Sequence, residues 1–326
     1  MVTFDIRYAL RRPAWAKATH QELYQTMVDQ VEWADRMGFK RVMLSEHHGC
    51  DDGYMSSPLV IGAALAARTT QIRIHISSII APLHNMVRLA EDIAALDVLS
   101  NGRVEPVLSA GYVGTEFEMV GTSLSQRRDY MDELIPFLKQ AWTGEPFEWR
   151  GQTIRITPKP VQEPHPPIWM GGSSKASARR AAQHADVYVP SDSALYRYYH
   201  EQIDALDRPR PTEGLRQTLL WVAADPDSFW DALAPHALHE NNEYGKWYSD
   251  WDAWNSYETE VDADALRQTG RYRIVTPAEL VEMCRMMDPG RSVTLHPLVG
   301  GFDPDLAWES LRLIEHEVLP ALQRAP

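Results

Sequence analysis

Two adjacent histidines behind a carboxylate, Ser45-Glu46-His47-His48, follow the apolar run Val42-Met43-Leu44 and lead into a loop rich in Asp and Gly. Imidazole and carboxylate side chains in one run can hold or move a proton, or ligate a metal. A helix signal at Gln21 to Met37 precedes this short strand and another at Pro58 to Arg68 follows it. The histidine pair therefore belongs to a loop after a parallel strand, which in an α/β barrel lies on the catalytic face. A metal-hydrolase reading would use His47, His48, Asp51 and Asp52. Adjacent residues at a strand end point to opposite faces, so the two imidazoles do not readily meet on one ion. No H-x-H or H-E-x-x-H accompanies them, and no metal is expected.

A second candidate is Gly171-Gly172-Ser173-Ser174-Lys175-Ala176-Ser177, between a strand ending in Trp169-Met170 and a helix starting near Ser174. The glycines permit close backbone approach, Ser174 can cap, and free amides at a helix N-terminus favour an anion such as phosphate. Ser174 and Ser177, one turn apart, would aim their hydroxyls at it. The same turn also reads as a good helix cap and nothing more.

The elements that must position these residues alternate between apolar runs of strand length and segments of helical period, the pattern of βα units. Candidate strands are Thr3 to Leu10, Arg41 to Ser45, Ile72 to Ile80, Arg103 to Ala110, Pro167 to Met170, Ala185 to Val189, Gln217 to Ala223 and Ser292 to His296. Helices fall between them, among them Met86 to Leu99, Leu124 to Trp142 and Ser174 to His184. The expected fold is a single α/β domain over residues 1–326, a TIM (β/α)8 barrel with an insertion before the last strand. Residues 145–160 read as a small hairpin around Arg150-Gly151 followed by a Pro-rich link. Residues 226–273 read as helical, acidic and aromatic, with Trp247, Tyr248, Trp251, Trp254 and Tyr257 close together as a lid, an apolar substrate pocket or an outer packing face.

A formal charge of −13 disfavours nucleic acid or an anionic membrane as partner. No run approaches the roughly 18 apolar residues of a membrane span, and the N-terminus lacks the regions of a signal peptide. Cys50 and Cys284 lie far apart and outside any C-x-x-C. A cytoplasmic protein with free thiols is expected.

Taken together the motifs are more specific. The order Ser45-Glu46-His47-His48, then Pro82-Leu83-His84-Asn85-Met86 to Asp92 with Leu96 to Arg103, Gly111-Tyr112 with Glu116-Phe117, Trp142-Thr143-Gly144-Glu145-Pro146, and Pro166 to Ser174 resembles the bacterial luciferase-like flavin-dependent monooxygenases. The resemblance covers nearly the whole chain and is weakest in the aromatic insertion. It implies a TIM-type barrel that binds reduced FMN, or alternatively the deazaflavin F420, at the strand C-termini.

The family's catalytic histidine is the first of Glu-His-His, here His47, with Glu46 orienting the site and His48 in support. The resemblance places the phosphate at Gly172, Ser173, Ser174 and Ser177. It also implies a non-prolyl cis peptide at the end of the third strand, at Ile76-Ser77 or Ser77-Ser78, and puts Ser77 and Ser109 against the flavin. Ala110 stands where luciferase has a phosphate-binding arginine, which removes a charge-assisted contact and leaves the choice between FMN and the deazaflavin open. His296, at the end of the last strand, is expected near the substrate, together with Trp247 and Trp251. His84 is expected to fix its loop and His75 to lie in the core.

The implied chemistry is oxygenation of a small organic substrate by O2 and reduced FMN, the flavin coming from a separate NAD(P)H flavin reductase. The alternatives are hydride transfer with F420 and flavin binding without turnover. A homodimer through Ile61 to Ala67 and Met86 to Leu99 is expected from the same resemblance.

Overall fold

The computed structural model describes residues 2–191, 193–211, 219–249, 257, 262–288 and 290–323. Its strands are Thr3–Tyr8 (β1), Arg41–Leu44 (β2), Arg73–Ile80 (β3), Val104–Ser109 (β4), Phe147–Trp149 (β5), Gln152–Ile154 (β6), Trp169–Gly172 (β7), Val187–Pro190 (β8), Leu219–Val222 (β9), Tyr272–Val275 (β10) and Ser292–Leu295 (β11). The chain divides into two compact units: Met1–Met43, Cys50–Met55 and Leu215–Pro326 form the first, and Leu44–Gly49 and Ser56–Gly214 the second.

In the first unit the strand order is β10-β9-β11-β1-β2. β1 runs parallel to β11 with Thr3 opposite Ser292 and Ile6 opposite Leu295. β1 is buried from Phe4 to Tyr8 because parallel strands carry covering on both faces. The helix His20–Arg36 starts at a capping box in which Thr19 and Glu22 satisfy each other's backbone amides. It buries Leu23, Met27, Val31 and Ala34, spaced at one helical turn.

In the second unit the order is β3-β4-β7-β8. β3 pairs with β4 from Ile74 opposite Val104 to Ile80 opposite Ser109, with a register shift between Ser77 and Ile79. Buried Arg103 donates to the carbonyls of Ala66, Thr69 and Ile72, and so closes the C-terminal end of the helix Pro58–Arg68. The antiparallel β5-β6 hairpin turns at Arg150 and Gly151, both at positive φ, as a two-residue loop between twisted strands requires.

Three differences from the sequence reading are local. The helix expected over Leu124 to Trp142 begins as a 3₁₀ turn at Leu124–Gln126 and becomes α-helical at Arg127–Ala141. A short helix at Gly114–Met119 carries no side-chain cap that a sequence could announce. The segment read as helical to Arg273 contains Pro226–Ser249 and Ala263–Gln268 as helices but ends in β10, paired parallel to β9 with Tyr272 opposite Leu219. That strand is held by a partner about fifty residues away, which local periodicity does not register. Among the described residues no helix is long and apolar enough to cross a membrane.

Candidate active site

β2 ends at Leu44, and the next four residues belong to the second unit. His47 is 7% exposed, and its Nδ1 lies 2.8 Å from Oε1 of fully buried Glu116, on the helix Gly114–Met119. A carboxylate accepts, so Nδ1 carries the hydrogen and Nε2 is the basic nitrogen. The Tyr112 hydroxyl is 3.5 Å from Nε2. Glu116 Oε1 also accepts the His48 amide at 2.8 Å, which fixes the backbone beside the imidazole. Gly49 follows at φ +65°, in the left-handed region where glycine is unstrained, and a Cβ there would meet Met119 Sδ. The chain can therefore turn away from the histidines at once.

Glu46 faces different partners. It accepts from the Ile80 amide at 2.5 Å, from His84 Nε2 at 2.8 Å and from His48 Nε2 at 3.2 Å. Burial acts to raise its carboxyl, but the hydrogen bonds from His48, His84 and Ile80 hold it down at about 2. The same carboxylate raises the His48 imidazole above its ordinary range. Glu46 thus ties the β2 loop to the end of β3. His84 takes part in that tie, and His75 is buried against Glu105 at 3.1 Å.

The ends of β3, β4 and β7 form the rest of the site. The Ser77–Ser78 peptide is cis, and Ser77, Ser78, Ser109 and Ala110 are half-buried. A Cβ on Gly171 would collide with Ser109 Oγ and lie 3.1 Å from Ser78 Oγ, so these three strand ends approach one another closely with small side chains only. At the start of the helix Lys175–His184, Ser174 and Ser177 form a capping box. Ser177 Oγ donates to the Ser174 carbonyl at 2.7 Å and lies 3.0 Å from the Tyr188 hydroxyl. The Ser174 and Ser177 amides are taken by the two hydroxyls, so the first-turn amides of Lys175 and Ala176 are the donors available to an anion. Gly172 and Ser173 are half-buried beside them.

Of the residues expected near a substrate, His296 and Trp247 lie in the first unit. His296 is 1% exposed, with Nδ1 3.0 Å from the Arg7 carbonyl and Nε2 3.1 Å from Glu240 Oε2. Burial acts to raise Glu240, and His296 and the nearby arginines hold it at about 2. Trp247 packs edge-on against Tyr54 and Tyr244, with ring centres 6.1 and 5.5 Å away. Trp251 and Trp254 lie outside the described residues. In the sequence Glu116 and Tyr112 stand within a motif without a signal for a role of their own. Their places beside His47, 69 and 65 residues along the chain, come from the fold.

The chain is 30% identical over 175 residues to the oxygenase component of a flavin-dependent trigonelline monooxygenase from Acinetobacter baylyi, covering 51% of this chain and 48% of that protein. It is 28% identical over 174 residues to an FMNH(2)-dependent dimethylsulfone monooxygenase from Pseudomonas putida, covering 50% and 47%. The matches thus span about half the length of these curated relatives. Among solved structures, the monooxygenase RslO1 from Streptomyces bottropensis superposes with a TM-score of 0.75 at 22% identity, covering 98% of this chain and 99% of that one. The oxygenating constituent of 3,6-diketocamphane monooxygenase from Pseudomonas putida, in complex with FMN, gives 0.74 at 18% identity over 98% of each chain. An F420-dependent secondary alcohol dehydrogenase gives 0.71 at 16% identity, covering 99% of this chain and all of that one. These likenesses show the fold, an α/β arrangement of parallel strands and alternating helices. The model of the luciferase-like monooxygenase family matches residues 7–282, and the chain belongs to that family.

Proposed function

We propose that the chain is a monooxygenase that uses reduced FMN and O2 on a small organic substrate, with the flavin reduced by a separate NAD(P)H-dependent reductase. The observation that carries the reading is the pairing of His47 with buried Glu116, which fixes one tautomer and presents Nε2 as a base on a strand-end loop. Two relatives, an oxygenase component and an FMNH(2)-dependent enzyme, support the cofactor and the separate reductase. The exposed Val60, Val98 and Leu99 on the helices Pro58–Arg68 and Met86–Ser100 favour a homodimer.

The residues present fit the flavin. Ser77, at the register shift inside β3, and Ser109, Ala110 and Gly172, at the ends of β4 and β7, carry no bulky side chain, as close approach of a flat ring requires. Ser173, Ser174, Ser177 and the first-turn amides would hold the phosphate. Reduced FMN, when bound, supplies the electrons with which O2 is activated. His47 takes up or hands on a proton at Nε2, Tyr112 stands beside that nitrogen as a relay, and Glu116 stabilises the imidazolium that results. Glu46 keeps the loop in place.

One observation favours a second reading, hydride transfer with the deazaflavin. Ala110 offers no charge where luciferase has an arginine, and the phosphate diester of the deazaflavin carries less charge than the FMN monoester. Anaerobic titration with reduced FMN and, in parallel, the reduced deazaflavin separates the two. The proposal expects at least about tenfold preference for FMN. Preference for the deazaflavin would move the chain to the hydride-transfer branch, and binding of neither would refute both readings.

A further inference from the structure

The first unit contains a buried arginine, Arg11, one edge of which meets no hydrogen-bond partner among the described residues. Arg11, just after β1, is fully buried, and its Nη1 donates to Asp52 Oδ2 at 2.5 Å. Its Nε and Nη2 have no hydrogen-bond partner among the described residues. These two N–H groups form one side of the planar fork, whose spacing matches the two oxygens of a carboxylate.

The guanidinium lies over three rings, 4.6 Å from the centre of Tyr54, 5.1 Å from Tyr244 and 4.7 Å from Trp247. The rings stand steeply to one another, at 88° between Tyr54 and Tyr244, 61° between Tyr54 and Trp247 and 88° between Tyr244 and Trp247, so they surround the guanidinium with both faces and edges, which an aromatic or conjugated carrier of a carboxylate can meet. Arg11 follows β1, Asp52 and Tyr54 follow β2, and Tyr244 and Trp247 lie on the helix that follows β9. All are segments after strand C-termini, where α/β barrels bind their ligands. The charges agree with an anion. Asp52 is shared by Arg11 and His239, at 2.5 and 2.8 Å, and Glu240 is paired with His296. Arg7 donates to the Tyr244 hydroxyl, and Arg271 lies over Tyr257, which stacks on Tyr244, so among the described residues named here the arginines Arg7, Arg11 and Arg271 outnumber the carboxylates Asp52 and Glu240.

We propose that the Nε–Nη2 edge of Arg11 is a binding subsite for the carboxylate of a planar acid, aromatic or conjugated, walled by Tyr54, Tyr244 and Trp247. That this acid is the substrate of an oxygenation rests on the function proposed above.

The test is calorimetric binding of the acid–amide pairs benzoate and benzamide, cinnamate and cinnamamide, and 2-naphthoate and 2-naphthamide to the full chain and to Arg11→Lys, with reduced FMN titrated into the same preparations. At least one acid is expected to bind about tenfold or more tighter than its amide. Arg11→Lys, which keeps the charge and loses the fork, is expected to remove that preference and leave FMN binding unchanged. Equal binding of acid and amide in every pair, no binding of any acid, or an acid preference that survives Arg11→Lys overturns the subsite. Should Arg11→Lys not fold, Trp247→Ala takes its place: it removes one wall and must weaken the preferred acid about tenfold, and an unchanged affinity overturns the proposal. Acid preference without FMN binding refutes the proposed function alone, and FMN binding without acid preference refutes the subsite alone.

Discussion

His47 and Glu116 act as a unit, because the carboxylate fixes which imidazole nitrogen is basic. Replacing His47 with Ala is expected to leave folding and flavin binding intact and to lower turnover by about 10²–10⁴, the usual range for a lost acid–base group. Steady-state kinetics beside a flavin titration checks this, and unchanged turnover removes His47 from the mechanism. Glu116→Gln keeps the shape and loses the charge. It should lower kcat by about 10–100-fold with KM nearly constant and shift the pH profile. A merely structural Glu116 would leave the profile in place. The sequence singles out His47 as a candidate because histidine at a strand end in a known motif order is a local signal. It does not single out Glu116, because the contact with His47 brings together residues 69 apart.

At the scale of elements, the start of the helix Lys175–His184 caps itself, and under the proposed function its remaining first-turn amides would hold the phosphate. The double change Ser174→Ala with Ser177→Ala is expected to weaken FMN binding about tenfold or more while riboflavin, which lacks the phosphate, changes little. Equal loss for both ligands would place the phosphate elsewhere. The lost cap is expected to lower stability by about 1 kcal/mol, read by denaturant unfolding. This turn was visible in the sequence because Gly-Gly-Ser-Ser between strand and helix is local chemistry. The β5-β6 hairpin was visible for the same reason, since Arg150-Gly151 sets its turn. β10 was hidden because Tyr272 to Val275 has no periodicity long enough to outweigh the helical segment before it, and its pairing with β9 decides its state.

At the scale of the whole molecule, buried carboxylates govern the acid response. Glu46, Asp52 and Glu240 are each held at about 2, against ordinary values of 4.5, 3.8 and 4.5. Burial acts to raise all three, and histidine and arginine partners lower them further than burial raises them. A depressed folded-state pKa gives stability that is fully present above the ordinary value and lost as pH falls toward the folded one, on the order of 2 kcal/mol per group. Unfolding free energy is therefore expected to drop between about pH 4.5 and pH 2, and Glu46→Gln should shallow that slope. His48 works in the opposite direction: its raised pKa gives stability below its ordinary value of 6.5 that is lost as pH rises through the folded value. Denaturant titrations at a series of pH values check both signs. A stability that stays flat from pH 5 to about pH 2 would contradict the assignment.

The central claim is that this chain, with reduced FMN bound, would let O2 react while holding back the release of hydrogen peroxide. The measurement that tests it most directly follows oxygen consumption and hydrogen peroxide release together, after the anaerobic complex with reduced FMN is mixed with air-saturated buffer. The account predicts that peroxide appears well after oxygen is consumed, whereas free reduced FMN shows no such delay, and that His47→Ala shortens the delay. Peroxide released in step with oxygen consumption, at the rate of free reduced FMN, would contradict the account.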